Sequence, residues 1–221
     1  MSIDSTPAPA RTDLPAATLP RVSRPSRTAG TDAAPAISDR RIRRSGLALT
    51  AGALAWSATM ATFGPTAGGI GGRLGDLGGL AFQAGVFALL HVQLRTRATG
   101  TSKAAVRLIK VEHVLLGLAA LWSLLHAITP ETGWLVFIDP FWPLSMLGMF
   151  VIGIKIAFTG RWRGALRVWP VVAESWAVVS VPSFLILGER ANYVGALHLV
   201  VGYATLGAIL ALRPQLARAD A

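Results

Sequence analysis

The sequence contains no cysteine and few charged residues. Only 14% of its 221 residues are Asp, Glu, Lys or Arg, whereas an average soluble domain has about 25%. Hydrophobic residues make up 52% of the chain. Without cysteine the chain cannot form disulfides, thiolate-held iron–sulfur clusters, cysteine-ligated zinc fingers or a cysteine nucleophile. The scarcity of charge excludes a soluble globular enzyme with an ordinary polar surface.

Lysine is also scarce, since only three of the 21 basic residues are lysines. This arginine bias, together with abundant Ala, Gly and Val, is typical of a bacterium with a GC-rich genome. The net charge is +10, but the basic residues form short clusters between long apolar runs. That distribution is typical of a membrane protein. We therefore predict the lipid bilayer as the main partner and no nucleic acid.

The first 44 residues contain no aromatic side chain and no sustained apolar periodicity. Six of the 13 prolines lie here, among many Ser, Thr and Ala residues. Such a segment buries too little apolar surface to offset its chain entropy, so we predict a disordered tail over residues 1–44. A phosphorylated or partner-binding arm is the alternative. Arg40 and Arg41 fit a twin-arginine export signal poorly, so we expect the first apolar run to be an uncleaved helix.

Six apolar runs follow the tail. A helix needs roughly 20 residues to cross about 30 Å of hydrocarbon, and each run is near that length. The runs do not alternate as barrel strands do. We therefore predict an all-α fold, a polytopic transmembrane bundle of six spans over residues 45–213, with a short tail over 214–221. The predicted spans are Gly46–Phe63, Leu77–Leu94, Leu108–Ile128, Trp134–Phe158, Val168–Leu187 and Tyr193–Leu212.

The charges between these runs predict an orientation. Nineteen of the 21 basic residues fall in the two tails and in alternate loops, on one side of the bundle, and only Arg73 and Arg190 fall on the other. Basic loops stay in the cytoplasm. We therefore predict a multi-pass protein of the bacterial inner membrane with both termini cytoplasmic. Trp134, Trp142 and Tyr193 are expected at the outer boundary, where amphipathic rings are enriched.

Residues 68–79 contain seven glycines. Their spacing matches neither the dinucleotide-binding nor the phosphate-loop motif. We expect a flexible outer loop that leads into a small-residue packing face, because Gly75 and Gly79 have the spacing of a GxxxG motif.

Ionisable residues inside spans are costly, so each is a candidate functional residue. Toward the cytoplasmic side lie His91, Glu112, His113, Lys155 and Glu174, and toward the outer side lie His126, Asp139 and His198. The plain interpretation is a network that binds helices together, with Glu174 paired to Lys155 and Glu112 paired to Lys110 or a loop arginine. One alternative is proton-coupled movement of a solute through Glu174 and the histidines. Another is a metal held by His91, His113 and Glu174.

The four histidines support a sharper hypothesis. His113 and His126 lie 13 residues apart, which is about 20 Å along one helix. His91 shares the inner depth and His198 the outer depth, as two stacked bis-histidine b-type haems would require. The separation is similar to that between haem ligands in transmembrane b-type cytochromes, and the resemblance covers two residues of one helix. Interfacial or hydrogen-bonded histidines are the plainer interpretation.

Asp139 precedes two prolines in span four, which leaves two alternatives. A broken helix would leave Asp139 facing an outer vestibule with His126 and His198. Alternatively, the helix simply begins at Pro140 or Trp142, with Asp139 as an acidic residue near its N-terminus, where the helix dipole favours it. We favour the second alternative.

These features predict a non-enzymatic membrane protein. It would be an accessory or interaction subunit, with other membrane proteins or a second copy as partners, or a small transporter-like bundle. The alternative is a transmembrane electron-transfer protein with one or two b-type haems. No nucleophile–base pair and no metalloprotease motif indicates a hydrolase. The connections between spans are too short to form a domain, so any site lies within the bundle or at its mouths.

Overall fold

The computed structural model describes residues 37–64, 68–129 and 133–218. Regular structure within these ranges is entirely helical, as the sequence predicts. The α-helices are α1 Asp39–Phe63, α2 Gly69–Arg95, α3 Lys103–Ile128, α4 Phe141–Thr159, α5 Ala165–Glu174, α6 Trp176–Leu187, α7 Ala191–Leu199 and α8 Thr205–Leu212. A π-helical segment, Val200–Ala204, joins α7 to α8. Short 3-10 helices occupy Gly133–Phe137, Gly188–Arg190 and Pro214–Ala217.

Five helical stretches in this described part of the chain are long and apolar enough to cross a membrane. They are Asp39–Phe63, Gly69–Arg95, Lys103–Ile128, Gly133–Thr159 and Ala165–Leu212. The all-helical, membrane-spanning character that the sequence predicts is therefore confirmed. The count differs from the six predicted runs because the last stretch is 48 residues of continuous helical structure.

That last stretch folds back on itself at Gly188. A straight helix would separate Trp169 from Gly202 by roughly 50 Å, yet Trp169 Nε1 donates a hydrogen bond to the Gly202 carbonyl at 3.1 Å. Trp176 Nε1 likewise donates to the Gly195 carbonyl at 2.9 Å. Gly188 has φ of 57°, a conformation that glycine adopts without steric cost. The α5–α6 arm therefore runs antiparallel to the α7–α8 arm.

Helix α1 begins earlier than expected. Ser38 is its N-cap, and the Ser38 hydroxyl accepts a hydrogen bond from the Arg41 backbone N–H at 3.4 Å. Arg218 also forms an ion pair with Asp39 at 2.7 Å. Residues 39–44, which we predicted in the disordered tail, are therefore helical, because a cap and a cross-chain contact stabilise this turn. The rest of the predicted tail, residues 1–36, lies outside the described residues.

Helix α2 also begins early, at Gly69. Most of the glycine-rich segment is therefore helical and does not form the loop that we expected. Further along α2, Gly85 allows close approach to α1, since a Cβ on it would lie 2.8 Å from the Leu49 Cα. Small residues permit such backbone contact between membrane helices. Helix α4 begins at Phe141 with Pro140 as its N-cap, one residue from the starts that the simpler alternative for the Asp139 segment gives.

The two ends of the bundle differ in charge. At the end where α1 begins and α2 ends, which we call the basic end, the Arg43 guanidinium donates to the Ala211 carbonyl at 2.8 Å. At the opposite end, where α1 ends and α2 begins, Asp76 and Asp139 lie near a cavity, and we call this the cavity end. The helices thus bring the basic clusters of the sequence to one end.

The contact between α1 and α2 yields a stability prediction. We expect Gly85→Ala to lower the thermal unfolding midpoint of the protein in detergent, because its Cβ would overlap the Leu49 backbone and overpacking costs about 1–3 kcal/mol. Gly75→Ala on the same helix is the matched control, since no atom of the described residues lies within 4 Å of its Cβ. Alanine also has a higher helix propensity than glycine, so the control should be neutral or slightly stabilising. Equal midpoints for the two variants would contradict this packing.

Candidate functional site

A cavity of about 380 Å³ lies between the helices at the cavity end. Its volume falls within the range of about 300–1,000 Å³ that is usual for small-molecule sites. Four tryptophans and five polar residues contribute to its wall: Trp56, Trp122, Trp142, Trp176, Asp76, Gln83, Ser123, His126 and Asp139. The wall therefore combines several aromatic rings with polar groups at a few points.

Three of these tryptophans form one cluster. The Trp142 ring lies edge-on to Trp56 and to Trp176, with centroids 6.0 and 5.4 Å apart. Trp56 and Trp176 are tilted by 37° at 5.3 Å. Edge-to-face pairs of this kind are favourable beyond the area that they bury. Trp142, which the sequence predicts at the outer membrane boundary, joins α1, α4 and α6 around the cavity.

Asp76 on α2 and His126 on α3 are joined by a hydrogen bond. The His126 Nδ1 lies 2.8 Å from the Asp76 carboxylate, and the imidazole stacks on the Trp122 ring at 4.7 Å. The predicted second span, Leu77–Leu94, leaves Asp76 outside the membrane helix. The earlier start of α2 instead places this carboxylate in the cavity wall.

Gln83 lies at the cavity wall and holds a buried acceptor without a described partner. The Ser123 hydroxyl donates its single hydrogen to the Ala119 carbonyl at 3.3 Å, so its oxygen accepts the hydrogen bond from the Gln83 amide nitrogen at 3.1 Å. This network fixes the orientation of the Gln83 amide. Gln83 is only 2% exposed, and its Oε1 has no hydrogen-bond partner among the described residues. A buried acceptor of this kind is costly unless something binds it.

Two buried glutamates lie in the body of the bundle, each bound to a hydroxyl group. The Ser145 hydroxyl donates to Glu112 at 2.5 Å, and the Tyr203 hydroxyl donates to Glu174 at 2.5 Å. Both glutamates are 1% exposed. Neither forms an ion pair with a described lysine or arginine. The predicted pairs of Glu174 with Lys155 and of Glu112 with Lys110 or a loop arginine are therefore wrong.

Helix α4 makes room for both glutamates through glycine. A Cβ on Gly148 would collide with the Glu112 carboxylate, and a Cβ on Gly153 would lie 3.1 Å from the Glu174 Cγ. Glu174 is the last residue of α5, and Tyr203 lies in the π-helical segment. Such π-helical turns occur frequently at functional sites. The Glu174–Tyr203 contact thus lies where two helices both depart from regular geometry.

The histidines have separate partners. His113 Nδ1 donates to the Ile109 carbonyl of its own helix at 2.7 Å, and His91 is half-buried on α2. His198 Nε2 lies 3.2 Å from the Ser175 hydroxyl, whereas His126 binds Asp76. This geometry does not favour an outer haem between His126 and His198, and haem ligation stays a prediction.

The described ranges contain no group of three His, Asp or Glu side chains that could hold a metal ion together. The hypothesis of a metal bound by His91, His113 and Glu174 is therefore wrong. The alternative vestibule is partly present, since Asp139 and His126 both line the cavity, whereas His198 is not among its lining residues.

Several residues of the site were not predicted from the sequence, because only ionisable residues within the spans were taken as candidates. Gln83 and Tyr203 are polar residues within predicted spans, and buried polar groups require partners as charged groups do. A search for such groups would have found both. The Trp56 contacts follow from helix rotation and packing, for which the spacing of residues along the chain gives no signal.

Comparisons with protein-family models, with curated proteins and with solved structures give no match for this chain.

Proposed function

We propose that this chain is a six-span protein of the bacterial inner membrane that acts as a small transporter-like bundle and holds its solute in the cavity. The fold-back at Gly188 supports six crossings, because each arm of the last stretch has the roughly 20 residues that one crossing needs. The basic end lies in the cytoplasm together with both termini, as the positive-inside rule requires. The cavity then faces the outer side.

The observation that carries the proposal is a line of side-chain contacts from the cavity wall to the buried Glu174. Phe82 stacks on Trp56 at 5.0 Å and meets the Tyr203 ring edge-on at 4.7 Å. Tyr203 in turn binds Glu174. A continuous set of packed side chains therefore runs from the cavity wall to a buried carboxyl group. Intramembrane carboxyl groups of this kind commonly mark proton or solute pathways.

The transporter-like interpretation makes a labelling prediction. Because the chain has no cysteine, Ser123→Cys places a single thiol in the cavity wall. We expect a membrane-impermeant maleimide to label it in right-side-out vesicles and, through alternation of the bundle, in inverted vesicles as well. A purely accessory subunit would expose this position to one side or to neither.

Leu124→Cys is the matched control for this experiment. It is the next residue on α3 and points about 100° away around the helix. Leu124 is 40% exposed on the bundle surface, where lipid would cover it, and it does not line the cavity. We expect no labelling of this variant from either side. Labelling of Ser123→Cys from one side only would overturn transport, and equal labelling of both variants would overturn the cavity.

A further inference from the structure

The polar groups of the cavity wall are mainly acceptors of hydrogen bonds. They include the carboxylates of Asp76 and Asp139. No lysine or arginine is among the lining residues within the described ranges. Among the described lining residues His126 is the one basic side chain, and its Nδ1 is already bound to Asp76. A ligand that satisfies this wall must supply positive charge or hydrogen-bond donors.

The aromatic part of the wall favours the same kind of ligand. Tryptophan is the best cation–π partner among the side chains, and rings that surround a cation recognise quaternary ammonium groups. Trp56, Trp142 and Trp176 meet in one cluster at this wall, with the Trp122–His126 stack on α3. A cation removed from water at such a site gains more from the rings than it would at an exposed site.

We propose that the cavity binds an organic cation, such as an aromatic or alkyl ammonium ion, between the tryptophan cluster and the carboxylates. The proposal deepens the proposed function and rests on it for the role of the cavity as a solute site. The cation would lie against the tryptophan cluster, with Asp76 and Asp139 supplying negative charge. The cavity volume of about 380 Å³ admits a molecule of one aromatic ring and a small ammonium group.

The test is a calorimetric titration of the wild-type protein in phosphatidylcholine nanodiscs with three probes of similar size. Phenyltrimethylammonium carries the positive charge, tert-butylbenzene is its neutral isostere and benzenesulfonate is anionic. We expect saturable binding of phenyltrimethylammonium only, with empty nanodiscs as the blank. Equal binding of tert-butylbenzene would overturn the proposal by showing a merely apolar cavity. Absence of phenyltrimethylammonium binding would overturn it as well.

Variants locate the bound cation. Asp76→Asn should weaken phenyltrimethylammonium binding roughly tenfold or more, since a close charge–charge contact in a partly desolvated site is lost. Asp139→Asn is the second variant, because Asp139 is exposed and its replacement does not disturb the core. Asp39→Asn, at the basic end, is the control and should bind as the wild type does. Unchanged binding in both cavity variants would overturn the assignment.

The transporter-like function and the organic cation as its ligand can be overturned independently of each other. Labelling of Ser123→Cys from both sides without cation binding would leave the transporter-like function in place and overturn the ligand class. Cation binding without labelling from the second side would support the ligand class and overturn the transporter-like function. Protection of Ser123→Cys from the maleimide by phenyltrimethylammonium would place the cation in this cavity.

Discussion

Glu174→Gln is expected to fold as the wild type does and to lose uptake of phenyltrimethylammonium driven by a pH gradient. Glutamine has nearly the size of glutamate and keeps an oxygen that accepts the Tyr203 hydrogen bond. It cannot bind and release a proton, however, so coupling through this carboxyl group would stop. The measurement is uptake of the labelled cation by proteoliposomes with an imposed pH gradient, and we expect the rate of protein-free liposomes.

Two controls separate coupling from damage to the fold. The thermal unfolding midpoint of Glu174→Gln should stay close to that of the wild type, because burial and the hydrogen bond are kept. Exchange of the cation across the membrane without a pH gradient should also persist in this variant. If Glu174 served only to hold helices together, Glu174→Gln would instead accumulate the cation at the wild-type rate, and a role in proton coupling would be excluded.

Glu174 shows which features of the site the sequence alone predicts. Run length and hydropathy predicted an intramembrane carboxyl group, and the structure places it 1% exposed within the bundle. The predicted partner, Lys155, was wrong, and the partner is the Tyr203 hydroxyl. Spacing along a chain gives depth within a helix, but it does not give the rotation of one helix against another. The π-helical segment that carries Tyr203 adds a shift that helical periodicity does not predict.

The sequence predicts the apolar runs better than it predicts the residues at which the helices begin. Hydropathy identifies the apolar part of a helix, whereas α1 and α2 extend beyond it into polar or glycine-rich turns. The extension of α2 places Asp76 in the cavity wall. Part of the candidate site therefore depends on helical turns that a search for apolar runs overlooks.

The glycines of α4 are as important for the site as its polar residues. Gly148 lies directly against the Glu112 carboxylate, and Gly153 lies against Glu174. A buried carboxyl group without a cationic partner needs both a hydroxyl donor and space in which to hold its oxygens. Helix α4 provides that space for both glutamates, because glycine removes the side chain that would otherwise fill it.

Gly148→Ala is therefore expected to disrupt the Glu112 site. The new Cβ would collide with the Glu112 carboxylate, so the carboxylate must leave the Ser145 hydroxyl or α3 and α4 must separate. Separation of the helices would cost about 1–3 kcal/mol as overpacking, and loss of the Ser145 hydrogen bond would cost about 1–3 kcal/mol as a buried polar group left unpaired. We expect a clear fall in the thermal unfolding midpoint in detergent.

A second substitution distinguishes this collision from a general effect of alanine in a membrane helix. Gly117→Ala on α3 is the matched control, since its Cβ would meet only the Phe87 ring at an ordinary 4.0 Å, and we expect no loss of stability. The Gly148→Ala, Glu112→Ala double variant removes the carboxylate from the collision, so it should unfold at a higher temperature than the sum of the single effects predicts. Strictly additive effects would mean that Gly148 and Glu112 do not interact, and α4 would then not shape the carboxylate site.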